Sequence, residues 1–223
     1  MKLFVVTDIH SNPDRVYAFL DENPVDEIIV TGDVTDFGPE ELFVDTLNRL
    51  SDYASVHALF GNCDPENSSQ LLDESRAVSI HDNVSNIGKI RVVGFGGSNE
   101  TPFNTTNEFD EEMLYEELIK YGDELSSDSF TILVTHTPPY QTDADKIEAG
   151  MHVGSKGVRK VVEETQPTLN LCGHVHEAIA CDRLGDTVIV NPGDASSGHA
   201  CLITISPEDI ENKTISDINL LEL

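Results

Sequence analysis

Residues 2 to 10 read KLFVVTDIH. Residues that suit a buried, pleated strand run straight into an aspartate and, two positions on, a histidine. The arrangement recurs along the chain. EIIVT (27–31) is followed by Gly32 and Asp33, SVHALF (55–60) by Gly61 and Asn62, and FTILVT (130–135) by His136. TLNLC (168–172) is followed by Gly173, His174 and, two further on, His176. Helical spacing fills the intervals at PDRVYAFLDE (13–22), PEELFVDTLNRL (39–50), NEFDEEMLYEELIKYG (107–122) and SKGVRKVVEET (155–165). The first two carry Pro near the helix start, where its missing N–H leaves no bond unmade. Buried strands alternating with helices predict an α/β fold, and in layered sheets the strand ends carry the chemistry.

The rest of the chain extends that pattern. NVSNIG and KIRVVGFGG read as a hairpin about Gly88, and from residue 178 onward AIACDRLG, DTVIVN, HACLITI and SDINLLEL read as successive strands joined by turns, without helices. No Pro/Gly/Ser-rich linker, charge block or repeat divides the 223 residues, so one domain over 1–223 is expected. The first residues resemble neither a secretory signal nor a membrane anchor, so a cytoplasmic protein is expected. Cys63, Cys172, Cys181 and Cys201 form no C-x-x-C pair and are expected to be buried free thiols.

Charge narrows the partners. Against 41 Asp and Glu stand 13 Lys and Arg, a formal net charge of -28. Concentrated salt screens such self-repulsion over about 3 Å at 1 M, which points to a halophilic source; a solvated acidic coat on an ordinary protein is the plainer alternative. Either way the surface repels polyphosphate and disfavours extended nucleic acid as a partner.

Seven N- or O-donor side chains thus stand where strands end: Asp8, His10, Asp33, Asn62, His136, His174 and His176. Any one of them alone is more simply a turn-former, a cap or a surface histidine. Turn chemistry does not favour histidine, however, and the set spans five strand ends. Carboxylate, imidazole and amide oxygen together suit divalent ions such as manganese, iron, zinc, cobalt or nickel; a thiolate-rich set would have pointed to structural zinc. Asp8 and His10 can turn toward one ion, and glycines at 32, 61 and 173 permit sharp turns and close approach. A carboxylate such as Asp33 can bridge two ions about 3.5 to 4 Å apart, the separation that suits in-line phosphoryl transfer.

In order, D-x-H (8–10), G-D (32–33), G-N-x-D (61–64), H (136) and G-H-x-H (173–176) resemble the blocks of the calcineurin-like metallophosphoesterase family. GFGGSNETPF, HTPPY and HVHE resemble a smaller branch of predicted phosphoesterases within it. The resemblance implies a four-layer α/β/β/α sandwich, two facing mixed sheets flanked by helices, with two divalent metal ions at the strand ends. By the same resemblance Asp8, His10 and His176 would hold the first ion, Asp33 would bridge, and Asn62, His136 and His174 would hold the second. A hydroxide shared by the ions would attack phosphorus.

The third place of G-N-x-D, often histidine in the family, is Cys63 here. A thiol is a weak proton donor, so general-acid help at this position, with Asp64 behind it, is expected to be weakened; a small residue packed beneath the site is the equal alternative. Family members with cysteine here resemble phosphodiesterases more than protein phosphatases. Lys146, Lys156, Arg159 and Lys160 cluster after His136; Lys156 is a candidate phosphate clamp, whereas Arg159 and Lys160 read better as one exposed helix face. His152 can reach the site mouth as a substrate contact or proton donor, or be an ordinary loop histidine, and His57, His81 and His199 are expected to be structural. The leading expectation is hydrolysis of a phosphodiester or small phosphorylated metabolite. A nuclease using the same site and a non-catalytic interaction scaffold are the alternatives.

Overall fold

The computed structural model describes residues 1–223. In chain order the elements are β1 Lys2–Val6, α1 Asp14–Glu22, β2 Glu27–Val30, α2 Glu40–Leu50, β3 Ser55–Ala58, α3 Ser68–Glu74 and β4 Val78–Ser79. A hairpin of β5 Asn83–Ile87 and β6 Ile90–Phe95 follows, then β7 Ser98–Asn99, β8 Glu108–Phe109, α4 Glu111–Ile119, α5 Gly122–Leu125 and β9 Thr131–Thr135. The chain continues through α6 Lys156–Thr165, β10 Leu169–Leu171, β11 Ala180–Leu184, β12 Thr187–Asn191, β13 His199–Thr204, α7 Pro207–Asn212 and β14 Asp217–Glu222.

Two six-stranded sheets result, in the orders β14-β13-β1-β2-β3-β4 and β11-β12-β10-β9-β6-β5. Each is mixed. β1 to β4 run parallel, β13 runs antiparallel to β1 and β14 antiparallel to β13, while β6, β9, β10 and β12 run parallel with β5 and β11 antiparallel at the edges. The period of two along a strand explains the layering. Leu3 and Val5 of β1 enter a core shared by the sheets, where they meet Ile132, Val134, Leu169 and Leu171. Their alternates, Phe4 and Val6, face the opposite way onto Val16, Leu20, Phe43 and Leu47 of α1 and α2. On the far side Val93 and Leu133 pack against α4 and α6 through Leu114, Leu118, Val158 and Val162. Burying both faces of each sheet is what makes the strands continuous apolar runs, and each such side chain stabilises the fold by roughly 1.5–3 kcal/mol.

The strands and hairpin read from the sequence are present, and three helical readings change. The span 107–122 is not one helix. Glu108–Phe109 pairs as β8 with β7, Asp110 caps α4 by accepting from the Met113 N–H at 2.7 Å, and α5 restarts at Gly122. The short α3 carried too few apolar positions to register. The C-terminal strands are interrupted by α7, where Ser206 and Asp209 cap each other ahead of Pro207. Among the cysteines, Cys172 and Cys201 are buried, but Cys181 is exposed because β11 is a sheet edge, and Cys63 is only half-buried.

Candidate metal centre

The C-terminal ends of β1, β2 and β3 in one sheet and of β9 and β10 in the other open onto the same edge of the sandwich. Short backbone bonds stitch the loops there: Asp8 N–H to the Gly32 carbonyl at 3.0 Å, His10 N–H to Asp33 O at 3.0 Å, and Gly173 N–H to His136 O at 2.8 Å. Asp8, His10, Asp33 and His174 all adopt positive φ, between 44° and 65°. Left-handed backbone at four non-glycine positions costs energy that the surrounding bonds must offset, and such strain collects at functional sites.

The two carboxylates are held in the same way, one oxygen anchored and one presented. Asp8 Oδ2 accepts from the Thr7 hydroxyl at 2.7 Å and the His174 N–H at 2.9 Å, so Oδ1 is left facing His176 Nε2 at 3.2 Å and His10 Nε2 at 3.7 Å. Asp33 Oδ1 accepts from the Cys63 N–H at 2.8 Å, and Oδ2 faces His136 Nε2 at 3.4 Å and His10 Nε2 at 3.8 Å. Asn62 donates its amide to Thr105 Oγ1 at 2.9 Å, which presents the amide oxygen to His136 Nε2 at 2.9 Å.

That geometry tests the fit of a cation. His136 Nδ1 lies 2.9 Å from the Thr31 carbonyl, which can only accept, so Nδ1 carries the proton and the neutral ring offers Nε2 as a lone pair. Nε2, Asn62 Oδ1 and Asp33 Oδ2 are then three acceptors turned on one another. His10 Nε2 and His176 Nε2 meet similarly, 3.1 Å apart beside Asp8. A divalent cation satisfies such a set; water, which has two protons, does not. Ligand atoms of Asp8, His10 and His176, of Asp8, Asp33 and His136, and of His10, Asp33 and Cys63 lie within 4.8 Å of one another. His174 is half-buried beside them, its ring centroid 5.1 Å from that of His136, but its ring nitrogens fall outside these groups.

Without metal the site holds protons instead. Burial alone would lower the His136 pKa, but Asp33, Asp8 and the Thr31 carbonyl outweigh it and push the value up to about 9. Burial alone would raise Asp8 and Asp33, yet the neighbouring histidines hold both carboxyls below their ordinary range. The sign of the linkage follows. Raised His136 stabilises the metal-free fold fully below its ordinary 6.5, and that contribution is lost as pH rises through about 9. The depressed carboxylates stabilise it above their ordinary 3.8 and fail as pH falls below that. Chelated protein is therefore expected to melt at falling temperature between pH 6.5 and 9, and metal-loaded protein, in which the ion replaces the proton, to lack that decline. Parallel pH series of thermal melts, with and without chelator, check this; coincident curves would count against His136 as a ligand.

The secondary candidates separate. Cys63 turns its sulfur toward His10 and Asp33; burial and the Asp33 and Asp64 carboxylates push its thiol well up. Asp64 is fully buried and accepts from the N–H groups of Val34, Thr35 and Gly61 and from the Thr35 hydroxyl at 2.8–3.2 Å. Both its oxygens tie the loop after β2 to the loop after β3, while burial and the Asp33 charge push its carboxyl up to about 7. His152 and Lys156 line a cleft of about 880 Å³ that also includes Asn62, His174 and His176. Arg159 and Lys160 do not face it: Arg159 binds the Tyr140 carbonyl and Glu163, and Lys160 covers the Tyr115 ring. His57 sits between Glu27 and Ser85, and His81 between Phe60 and Phe95.

Two acids escaped the sequence reading. Asp194 Oδ2 lies 3.9 Å from His176 Nδ1, the far side of the imidazole from Asp8, and steadies that ring. Its signal was present, a Gly-Asp pair after the apolar run of β12, the pattern that marked Asp33. Asp145, bonded to His152 at 2.6 Å, had no such signal because it lies in a long loop.

Known proteins resemble this chain in sequence or in fold. Protein MJ1162 of Methanocaldococcus jannaschii is 40% identical over 203 residues, which cover 88% of this chain and 89% of that one. The structure of TT1561 from Thermus thermophilus superposes with a TM-score of 0.73 at 14% identity, covering 99% of this chain and 98% of the other. GAP50, the anchor in the inner membrane complex of Plasmodium, superposes at 0.58 and 12% identity over 100% and 89%. The last two speak for the fold alone. The sequence model of the calcineurin-like phosphoesterases matches residues 1–178, from the strand that delivers Asp8 and His10 to just beyond His176. With fold, strand-end donors and sequence match in agreement, the chain belongs to the calcineurin-like phosphoesterase family.

Proposed function

We propose that the protein is a phosphodiesterase acting on small molecules through two divalent metal ions, with manganese the preferred ion. Asp8, His10 and His176 would hold one, Asn62, His136 and His174 the other, and Asp33 would serve both. The observation that carries this is the presented oxygen of each carboxylate, turned with imidazole nitrogens onto a common space. When bound, such ions polarise phosphoryl oxygens and lower the pKa of water. The chain's own part is to hold seven donors on two sheets at once and to leave the cleft open on one side.

The cleft also bears on substrate charge. Glu100, Glu111 and Glu177 line it against a single lysine, Lys156. Such a wall favours a substrate with one negative charge at phosphorus over polyphosphate or an extended strand, so a nuclease is the weaker reading. Lys156 supplies the local positive charge and also lies 5.4 Å over the Tyr140 ring. The formal net charge of -28 supports a salt-rich cytoplasm as the protein's setting. No helix is long and apolar enough to cross a membrane.

Metal analysis followed by assay of bis-aryl and mono-aryl phosphates and short oligonucleotides, each with and without chelator, tests the proposal. The expected result is diester hydrolysis that exceeds monoester hydrolysis, stops with chelator and returns with manganese. A metal-loaded protein that turns over none of these substrates would leave an interaction scaffold in its place.

A further inference from the structure

The loop from β9 to α6 carries a second constellation that reaches the same cleft. Asp145 is 0% exposed and its carboxylate is fully committed. Oδ2 accepts from the N–H groups of Gln141 at 3.1 Å and Gly154 at 2.9 Å, and Oδ1 accepts from Thr142 N–H at 2.9 Å. Oδ1 also lies 2.6 Å from His152 Nδ1. Oxygens that already accept from three amide N–H groups offer only lone pairs to the ring, so His152 Nδ1 carries its proton toward Asp145. Space for this pairing is reserved: a Cβ on Gly154 would stand 2.8 Å from Asp145 Cβ and 2.5 Å from the Pro138 carbonyl.

The backbone holds the ring as firmly as the side chain does. His152 bridges Lys146 across the loop, Val153 N–H donates to the Asp145 carbonyl at 3.1 Å, and Ile147 N–H to the Met151 carbonyl at 3.0 Å. The Tyr140 ring stands edge-on at 6.1 Å between centroids. The His152 side chain remains 28% exposed, on the wall it shares with Asn62, His174 and His176. Charged groups around it are Asp145 behind and Lys156, Glu100, Glu111 and Glu177 along the cleft.

Hydrolysis of a phosphoester leaves an oxygen that needs a proton, the more so the more basic the alcohol. The donors gathered at the metal centre are poor sources, since seven of them would be ligands and the Cys63 thiol is a weak donor. We propose that His152, positioned by Asp145, is the general acid for the leaving group, and that the protein is thereby suited to alkyl phosphodiesters, whose alkoxides are poor leaving groups. The inference rests on the phosphodiesterase reading above. As the P–O bond to the leaving group breaks, its electron pair stays on that oxygen, which takes the proton from His152 Nε2. The imidazolium becomes neutral imidazole, keeps Nδ1–H on Asp145, and regains its Nε2 proton from solvent. Asp145 is a positioning residue in this scheme: it fixes the tautomer and the orientation of the ring and takes up no proton itself.

Three measurements decide it. Rates on methyl aryl and dialkyl phosphodiesters are compared for wild type, His152→Gln and His152→Ala, each metal-loaded and checked for an unchanged melt. The alkyl-to-aryl ratio is expected to fall by about 10²-fold or more in both variants, the usual reach of general-acid help, and imidazole added to His152→Ala is expected to restore part of the alkyl rate. Nitrogen-15 NMR of the metal-free protein at pH above the imidazole titration is expected to place the proton on His152 Nδ1. An unchanged ratio, or a proton on Nε2 with Nδ1 bare, overturns the proposal while leaving the hydrolase intact. Absence of turnover of every ester by the wild-type protein overturns the hydrolase reading and this proposal with it.

Discussion

Asp33→Asn is expected to lower diester hydrolysis by about 10³-fold and to strip the protein of most of its metal, while the chain still folds. The carboxylate's Oδ1 is committed to the Cys63 N–H at 2.8 Å, so the amide oxygen of an asparagine takes that place and its NH₂ falls where Oδ2 was. Oδ2 is the atom shared between His136 and His10, at 3.4 and 3.8 Å. An N–H donor there repels a cation and can bond the imidazole nitrogen instead, so one substitution removes a ligand from both halves of the donor set. Losing the charge stabilisation a metal provides costs several kcal/mol at the transition state, and each 1.36 kcal/mol is tenfold in rate. The metal-free fold should lose some stability near neutral pH, because the neighbouring histidines outweigh burial and favour the Asp33 charge. A second signature is specific to the geometry. Asp33 is the chief influence raising His136, so the alkaline loss of stability in chelated protein should shrink in the variant. Metal content by elemental analysis, steady-state rates and pH-resolved melts together check this; a variant with wild-type metal content and rate would end the case for Asp33 as a ligand.

Much of this site could be read from the chain because of how parallel sheets are buried. A strand covered on both faces is a continuous apolar run, so its end is visible wherever that run stops, and Asp8, Asp33, Asn62, His136 and His174 each stand within two residues of such a stop. Their convergence depended on parallel neighbours within each sheet, β1 to β3 and β9 to β10, and on the two sheets packing face to face with those strand ends on one edge. What the chain did not disclose was which atom of each residue faces the centre. That is decided by bonds to Thr7, Thr31, Thr105 and the backbone of Cys63, groups with no periodic signature. Asp64 shows the limit from the other side: its place in G-N-x-D is evident, yet its burial against four donors could be learned only from the fold. Residues 107–110 run into the helical spacing of α4 without a sequence break, whereas Phe109 pairs in a strand and its ring packs edge-on against Phe95, 5.4 Å between centroids. Asp145 lay beyond reach for the same reason that it matters, since a buried acid in a long loop is organised by backbone amides that only the fold brings together.

Gly61→Ala is expected to damage the centre nearly as much as loss of a ligand, although glycine donates nothing to a metal. A Cβ at position 61 would stand 2.0 Å from Asp33 Oδ1, 2.5 Å from Asp33 N and 2.6 Å from Asp33 Cγ. None of these is the free end of a flexible chain. Asp33 is pinned by the Cys63 N–H, and Gly61 is pinned in turn by donating to Asp64 at 2.9 Å and by accepting from Asn107 at 3.1 Å. One loop must retreat, and retreat of either moves Asp33 and Asn62 apart, which opposes the close spacing two ions need. Overpacking of this kind costs about 1–3 kcal/mol of stability, and misplacement of a catalytic group by about 1 Å costs on the order of 10²-fold in rate. The comparison is Gly88→Ala in the β5–β6 turn, where φ is +59° but nothing lies within 4 Å of the added carbon. That variant should lose about 1 kcal/mol or less of stability from the left-handed backbone and keep its metal and its rate. Melting temperature, metal content and diester hydrolysis measured on the pair separate the effects, because a glycine needed only for its turn would lower stability in both and catalysis in neither. If Gly61→Ala keeps full metal and full rate, the close approach of the β2 and β3 loops is not what assembles the site.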